Sequence, residues 1–135
     1  MGNAAAEGAR AAVREGPVDA VMMRRTTSRL LSPGAEVVTD PKELNDLTLL
    51  LRGHIMLLIP EVEAATAWFP DDDVPATCAR ACLGEARMKL NVAPPAGPAA
   101  GIAHSQKLAR VLNALLDHQE NLSDAPPRRW SRKVS

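Results

Sequence analysis

Aromatic side chains are almost absent from this sequence of 135 residues, which contains no Tyr, one Phe and two Trp. Residues that favour β-strands are correspondingly sparse, so a large sheet is not expected. Hydrophobic residues nevertheless make up 46% of the chain, and most of them are Ala, Leu and Val. Because Ala and Leu are good helix formers, the composition predicts an all-α protein with an aliphatic core.

Cysteine is scarce as well, since only Cys78 and Cys82 are present. Two positions four residues apart share one face of a helix, where disulfide geometry is poor. No signal peptide precedes them, so we expect a cytoplasmic protein in a reducing compartment. A buried free Cys behaves as a small hydrophobic residue, and we therefore interpret this pair as packing residues rather than nucleophiles.

Long hydrophobic runs are missing too. The most apolar stretch, residues 47–59, is interrupted by Thr48, Arg52, Gly53 and His54. It is shorter than the roughly 20 residues that a membrane-spanning helix needs. The sequence therefore predicts no membrane partner.

Motifs for cofactors and metals are also absent. No glycine cluster follows a strand, and the three histidines, His54, His104 and His118, lack the HxxH or HExxH spacing. The two cysteines do not form the CxxC element of a zinc site. We therefore expect neither a metal ion nor a cofactor.

The charges cancel to zero overall but are unevenly distributed. Residues 33–73 carry a net charge of −7, whereas residues 1–32 carry +2 and residues 123–135 carry +3. Solvated surface charge and docking of the basic ends on acidic protein are both compatible with this pattern. The basic run 128–133 around Trp130 also leaves nucleic-acid binding as an alternative, although no recognition helix accompanies it.

The helix predictions start from capping signals. Asp40 as N-cap, Pro41 in the first turn and Glu43 as capping-box partner predict a helix from residue 41, and Pro60 should kink or break it. Asp73 predicts a second start at Val74, with an end near residue 90. Apolar spacing predicts a last helix over 102–122 after a proline-rich loop, and a weaker pattern predicts a first helix over 17–32.

These elements predict one small bundle of three to four helices with a kinked central helix at Pro60. We expect a disordered lead over 1–16, a helical domain over 17–122 and a basic disordered tail over 123–135. The central helix is apolar almost all round, so either the other helices should surround it or a second chain should cover part of it. The candidate interface residues are Leu50, Leu57, Leu58, Leu112 and Leu115.

Short segments of the chain resemble a family of small actinobacterial proteins labelled natural product biosynthesis protein. They are Leu51–Ile55, Ile59–Val62, Asp73–Pro75, Ala79–Leu90, and the segments around Leu108 and Leu115–His118. The resemblance covers about residues 40–120 and implies no mechanism. It singles out the polar side chains Arg52, His54, Glu85 and His118 as candidates for a pocket between helices.

We therefore expect a non-enzymatic helical accessory protein that binds another protein, most simply a second copy of itself. Two alternatives stay open: a small biosynthetic enzyme or ligand-binding protein that takes a small molecule into that pocket, and a nucleic-acid-binding regulator. An ion pair between Glu85 and Arg52 is the structural interpretation of two of the pocket candidates.

Overall fold

The protein is all-α. A computed structural model describes residues 19–32, 38 and 40–124, so the predicted lead, Pro17 and the tail beyond residue 124 lie outside the described residues. The described part contains no strand and has four helices: α1 (Ala20–Leu31), α2 (Pro41–Thr66), α3 (Val74–Asn91) and α4 (Pro98–Ser123).

Helices α2 and α4 form the centre of the bundle, because each of them contacts the other three helices. They run parallel, since Thr48 contacts Ser105 near one end and Leu44 lies beside Gly101 one turn earlier on both. Helices α1 and α3 flank this central pair and have no substantial contact with each other. The α2 surface turned away from α4 is therefore not covered by any of the described helices.

Helix α2 begins where the capping signal predicted. The Asp40 carboxylate accepts a hydrogen bond from the Glu43 N–H at 3.3 Å, while the Glu43 side chain pairs with Arg29 of α1 instead of completing a capping box. The helix continues through Pro60, so a break at that position is wrong. Pro60 removes only one intrahelical donor, and α2 is held on its inner side by three other helices. None of the described helices is long and apolar enough to cross a bilayer.

The remaining helix ends were predicted with mixed success. Asp73 caps α3 as predicted, accepting from the Ala76 N–H at 3.0 Å. Helix α4 begins four residues before the predicted Ile102, because Pro98 suits a first turn that needs no N–H donor. Gly97 precedes it with φ of 96°, a conformation that favours glycine. Helix α1 is capped by Asp19.

The core is aliphatic, as the composition predicted. It includes Leu58, Leu112 and Leu115, which have no solvent exposure within one chain. Their assignment to the interface is therefore corrected: they point at the neighbouring helices of the same chain. The apolar pattern could not show this, because core and interface leucines recur at the same helical spacing.

The packing role predicted for the two cysteines applies to Cys82, which packs against the core, and not to Cys78. Ala76, Ala79, Leu83 and Ala86 face the bundle, whereas Cys78 is exposed and Cys82 half-buried. Small side chains on this face let α3 approach α2 and α4 closely. The cysteines lie at the edge of that face and outside it.

Candidate functional site

The structure separates two of the four predicted pocket residues. Arg52 turns toward α3, where its Nη2 donates to the Leu90 carbonyl at 2.6 Å. His54 turns toward α1, where its Nε2 lies 3.4 Å from the Thr26 hydroxyl. Positions two apart on a helix are separated by about 200° around its axis, so these side chains face different neighbours.

The other two candidates do not restore a shared site. Glu85 is exposed and His118 half-buried, and neither has a hydrogen bond or ion pair with another described residue. The expected ion pair between Glu85 and Arg52 is absent from the described chain, where the Arg52 guanidinium is directed to a backbone carbonyl instead. Neither cleft described below is lined by any of the four.

Cys82 is poorly suited to nucleophilic chemistry. Burial, together with the nearby Glu85 carboxylate, raises the pKa of the Cys82 thiol to about 11. The thiol is therefore protonated near neutral pH, and only a thiolate is a strong nucleophile.

One cleft lies at the N-terminal ends of α2 and α4 and has a volume of about 360 Å³. Its walls are mainly apolar, and the inner turns of both helices contribute the polar side chains of Asn45, Thr48 and His104. This volume lies within the range of small-molecule sites. We call it the N-terminal cleft; its lining residues are Val38, Pro41, Leu44, Asn45, Thr48, Pro94, Pro95, Gly97, Pro98, Gly101, Ile102 and His104.

His104 is the unusual polar group of the N-terminal cleft. Its side chain is buried, and its Nε2 has no hydrogen-bond partner among the described residues. Burial lowers the pKa of His104, and the charges of Arg52, Lys107 and Lys89 lower it further. Arg52 Nη1 is likewise buried without a partner. Sequence reasoning did not select His104, because a lone histidine in a predicted helix carries no spacing signal.

A second cleft, of about 320 Å³, lies at the opposite end of the same two helices. It is formed where the last turns of α2 and α4 meet the segment after α2, and Trp68, Phe69 and Gln119 contribute to its lining. Of these lining residues, Phe69 is buried and Trp68 is exposed.

The outer side of α2 is the largest feature that the packing leaves unexplained. Leu49, Leu50, Met56 and Leu57 are all exposed there, and Gly53 lies between the two pairs. Adjacent exposed apolar side chains of this number generally mark an interaction surface. We call these five residues the α2 outer face; of the predicted interface, Leu50 and Leu57 belong to it.

Comparison with known proteins identifies the family without assigning a function. A model described as a family of unknown function (DUF6415) matches residues 21–124, which includes all four helices except the first residue of α1. The chain belongs to this family. No curated protein and no solved structure matches the chain. The α2 outer face and the N-terminal cleft therefore lie within the part that defines the family.

Proposed function

We propose that this protein is a non-enzymatic helical accessory protein that acts as a homodimer, with the α2 outer face as its interface. The single observation that carries the proposal is the arrangement of exposed apolar side chains around Gly53. A two-fold interface places the same surface of both copies against itself. The surface must therefore be complementary to its own rotated image.

The α2 outer face has this property. Its large side chains lie three and four residues before Gly53 and three and four residues after it. In an antiparallel pair of α2 helices that cross at Gly53, Leu49 meets Leu57 of the second copy. Leu50 meets Met56 in the same way, so all four apolar side chains of each copy are covered.

Gly53 supports a close crossing at this point. A Cβ added there would meet none of the described residues outside the neighbouring backbone of α2 within 4 Å, so packing of the described chain does not require glycine at this position. Glycine in a helix interior costs about 1 kcal/mol relative to alanine. Contact with a second helix, whose backbone can approach closest at a residue without a side chain, accounts for this glycine.

Charged pairs border the apolar residues at both ends of α2. Lys42 and Asp46 form an ion pair before Leu49, and Glu63 pairs with Arg87 after Leu57. An apolar centre with a charged rim is the usual composition of a protein interface. The rim also limits how far the second helix can slide along α2.

The mass of the protein in solution tests the proposal. We expect a dimer in sedimentation equilibrium and a monomer for Leu57→Glu, because the substitution places two carboxylates in the apolar centre. Met88→Glu is the matched control, since Met88 is 64% exposed on α3 and Leu57 is 61% exposed on α2. A monomeric wild-type protein, or equal weakening by both substitutions, would contradict the proposal.

Cross-linking tests the register of the pair. Both native cysteines are first removed with Cys78→Ser and Cys82→Ala, and Leu49→Cys and Leu57→Cys are then introduced in separate chains. Positions 49 and 57 lie about 12 Å apart along one helix, so a disulfide between them must join two chains. We expect a mixture of the two single-cysteine proteins to form a disulfide-linked heterodimer under mild oxidation. Preferential pairing of each single variant with itself would exclude the crossing at Gly53.

We also propose that the dimer works in the cytoplasm beside enzymes of natural product biosynthesis. This part of the proposal is supported by the resemblance of residues 40–120 to proteins with that label and by the scarcity of cysteine. The genes next to the one that encodes this chain provide the test. Neighbours that encode biosynthetic enzymes are expected, and neighbours of unrelated function in several genomes would contradict it.

A further inference from the structure

We propose that the N-terminal cleft binds a small organic acid, with its apolar body between α2 and α4 and its carboxylate at the α4 wall. The site lies at the end of the central helix pair and shares no residue with the α2 outer face. Ligand binding there goes beyond homodimerisation and can be tested independently of it.

The walls of the cleft favour an apolar body. Leu44 of α2 and Ile102 of α4 supply aliphatic side chains. Pro94 and Pro95, from the segment that joins α3 to α4, and Pro98, the first residue of α4, supply rigid rings. An apolar lining with few polar groups is typical of sites for small organic ligands. A hydrated inorganic anion would find little to replace its water shell along these walls.

The start of α4 favours negative charge. The cap residue Gly97 has no side chain to accept a hydrogen bond, and the first turn contains no acid. The first hydrogen bond of the helix runs from Gly101 N to Gly97 O at 2.9 Å, so the N–H groups of Ala99 and Ala100 precede the intrahelical ladder. Such groups, together with the helix dipole, bind carboxylates.

The start of α2, on the other side of the cleft, is different. Asp40 caps it and Glu43 stands in its first turn, so its positive end is already compensated by acidic side chains of the chain itself. This contrast assigns the carboxylate to the α4 wall.

His104 supplies the second, independent observation. Only 8% of its surface is exposed, and its Nε2 is the buried side-chain atom of the lining that has no partner. The Thr48 hydroxyl, which also lines the cleft, is satisfied. It donates to the Leu44 carbonyl at 2.8 Å and lies 2.6 Å from Ser105 Oγ. A buried polar atom without a partner is costly, and a polar ligand in the cleft would supply one.

The charges around His104 act in the same direction. Burial contributes most to the lowered pKa of His104, and the positive charges of Arg52, Lys107 and Lys89 lower it further. A carboxylate bound here would oppose those cations and raise the pKa of His104. That rise is a signature that an uncharged apolar ligand would not produce.

Phenylacetate and its neutral isostere phenylacetamide are suitable probes for NMR titration of the full-length protein. We expect phenylacetate to shift the amide signals of Ala99, Ala100 and Gly101 and to raise the pKa of His104. Phenylacetamide should bind about tenfold more weakly, because it lacks the charge that the α4 start stabilises. Equal binding of the two probes, or no shift at these amides with millimolar phenylacetate, would overturn the proposal.

Variants locate the acid group. Ala99→Glu adds a competing carboxylate to the first turn, which stabilises the helix but should reduce phenylacetate binding about tenfold. Ala103→Glu adds the same charge one turn later at another exposed position and should leave binding within about twofold of wild type. An equal loss in both variants would overturn the assignment to the start of α4.

His104→Leu completes the test. We expect phenylacetate binding to fall by about tenfold, because a polar partner is lost, while the fold is retained or stabilised, because a buried atom without a partner is removed. Unchanged phenylacetate binding by a folded His104→Leu protein would show that His104 has no part in the site. Dimer formation should be the same in all three variants, which separates this proposal from the proposed function.

Discussion

The two faces of α2 have nearly the same residue types and opposite environments. Leu51, Ile55 and Leu58 on the inner face are completely buried against the other helices, whereas Leu49 and Leu57 on the outer face are more than half exposed. Hydrophobicity therefore does not distinguish the side chains in the core from those that this chain leaves exposed. What distinguishes them is the direction of each side chain relative to α4, which tertiary packing determines.

The largest expected effect is the loss of stability when a leucine of the inner face is truncated, compared with a leucine of the outer face. Leu58→Ala leaves a cavity in the core and should lower the free energy of unfolding by about 2–5 kcal/mol. The adjacent Leu57→Ala should change the stability of the monomer by less than about 0.5 kcal/mol, because its side chain is largely in solvent. Urea unfolding in the monomeric concentration range measures both, and similar losses would remove the distinction between the faces.

The sequence was sufficient for the parts of the fold that depend on local interactions. Asp40 and Asp73 cap helices where predicted, since an N-cap requires only a side chain and the next three residues. The start of α4 was missed because a stretch rich in proline and glycine resembles a loop until Pro98 is recognised as a first-turn residue.

The candidate site was predicted less well, and for two different reasons. Arg52 and His54 could have been separated from the sequence, because residues two apart cannot share one helix face. His104 could not have been found in this way. Its importance depends on a cleft between two helices whose first residues are 57 positions apart in the chain, and on the absence of a hydrogen-bond partner among the described residues.

A polar pair on the inner face should give the next largest effect. Thr48 and Ser105 join α2 to α4 through hydroxyl groups 2.6 Å apart, and Ser105 is completely buried. Thr48→Val leaves the Ser105 hydroxyl without this partner and should cost about 1–3 kcal/mol. Adding Ser105→Ala should recover part of that loss in a double-mutant cycle of unfolding free energies, and strictly additive losses would mean that the two hydroxyls are not coupled.

Replacement of two exposed glycines should change the stability of the monomer by a smaller amount. Gly53 of α2 and Gly84 of α3 both lie in helix interiors, and an added Cβ would meet nothing within 4 Å at either position. Alanine at each should therefore stabilise the monomer by about 1 kcal/mol, measured in a Leu57→Glu background.

The two substitutions should differ in their effect on formation of the proposed dimer. Gly53→Ala should weaken the dimer in sedimentation equilibrium, because a methyl group would stand at the closest approach of the two helices, whereas Gly84→Ala should have no effect. An unchanged dimer in both variants would place the crossing elsewhere on the α2 outer face.

The smallest expected effect concerns pH, because the inner side of α2 contains a titratable group and the outer face contains none. Burial lowers the pKa of His54, with the Asp19 carboxylate opposing the shift, and burial together with nearby cations lowers the pKa of His104 on α4. Both histidines are thus more easily protonated in the unfolded chain, whose histidine pKa is about 6.5.

The unfolded state therefore binds more protons below pH 6.5. The stability that depends on neutral histidines should be fully present above that pH and should decline as the pH falls toward the lowered pKa values. Unfolding free energies at pH 5 and pH 7.5 should show this decline in wild type and a smaller one in His54→Gln. The dimer dissociation constant should change little over the same range, since the five residues of the α2 outer face do not titrate. A strong pH dependence of association would mean that titratable side chains beyond these five contribute to the interface.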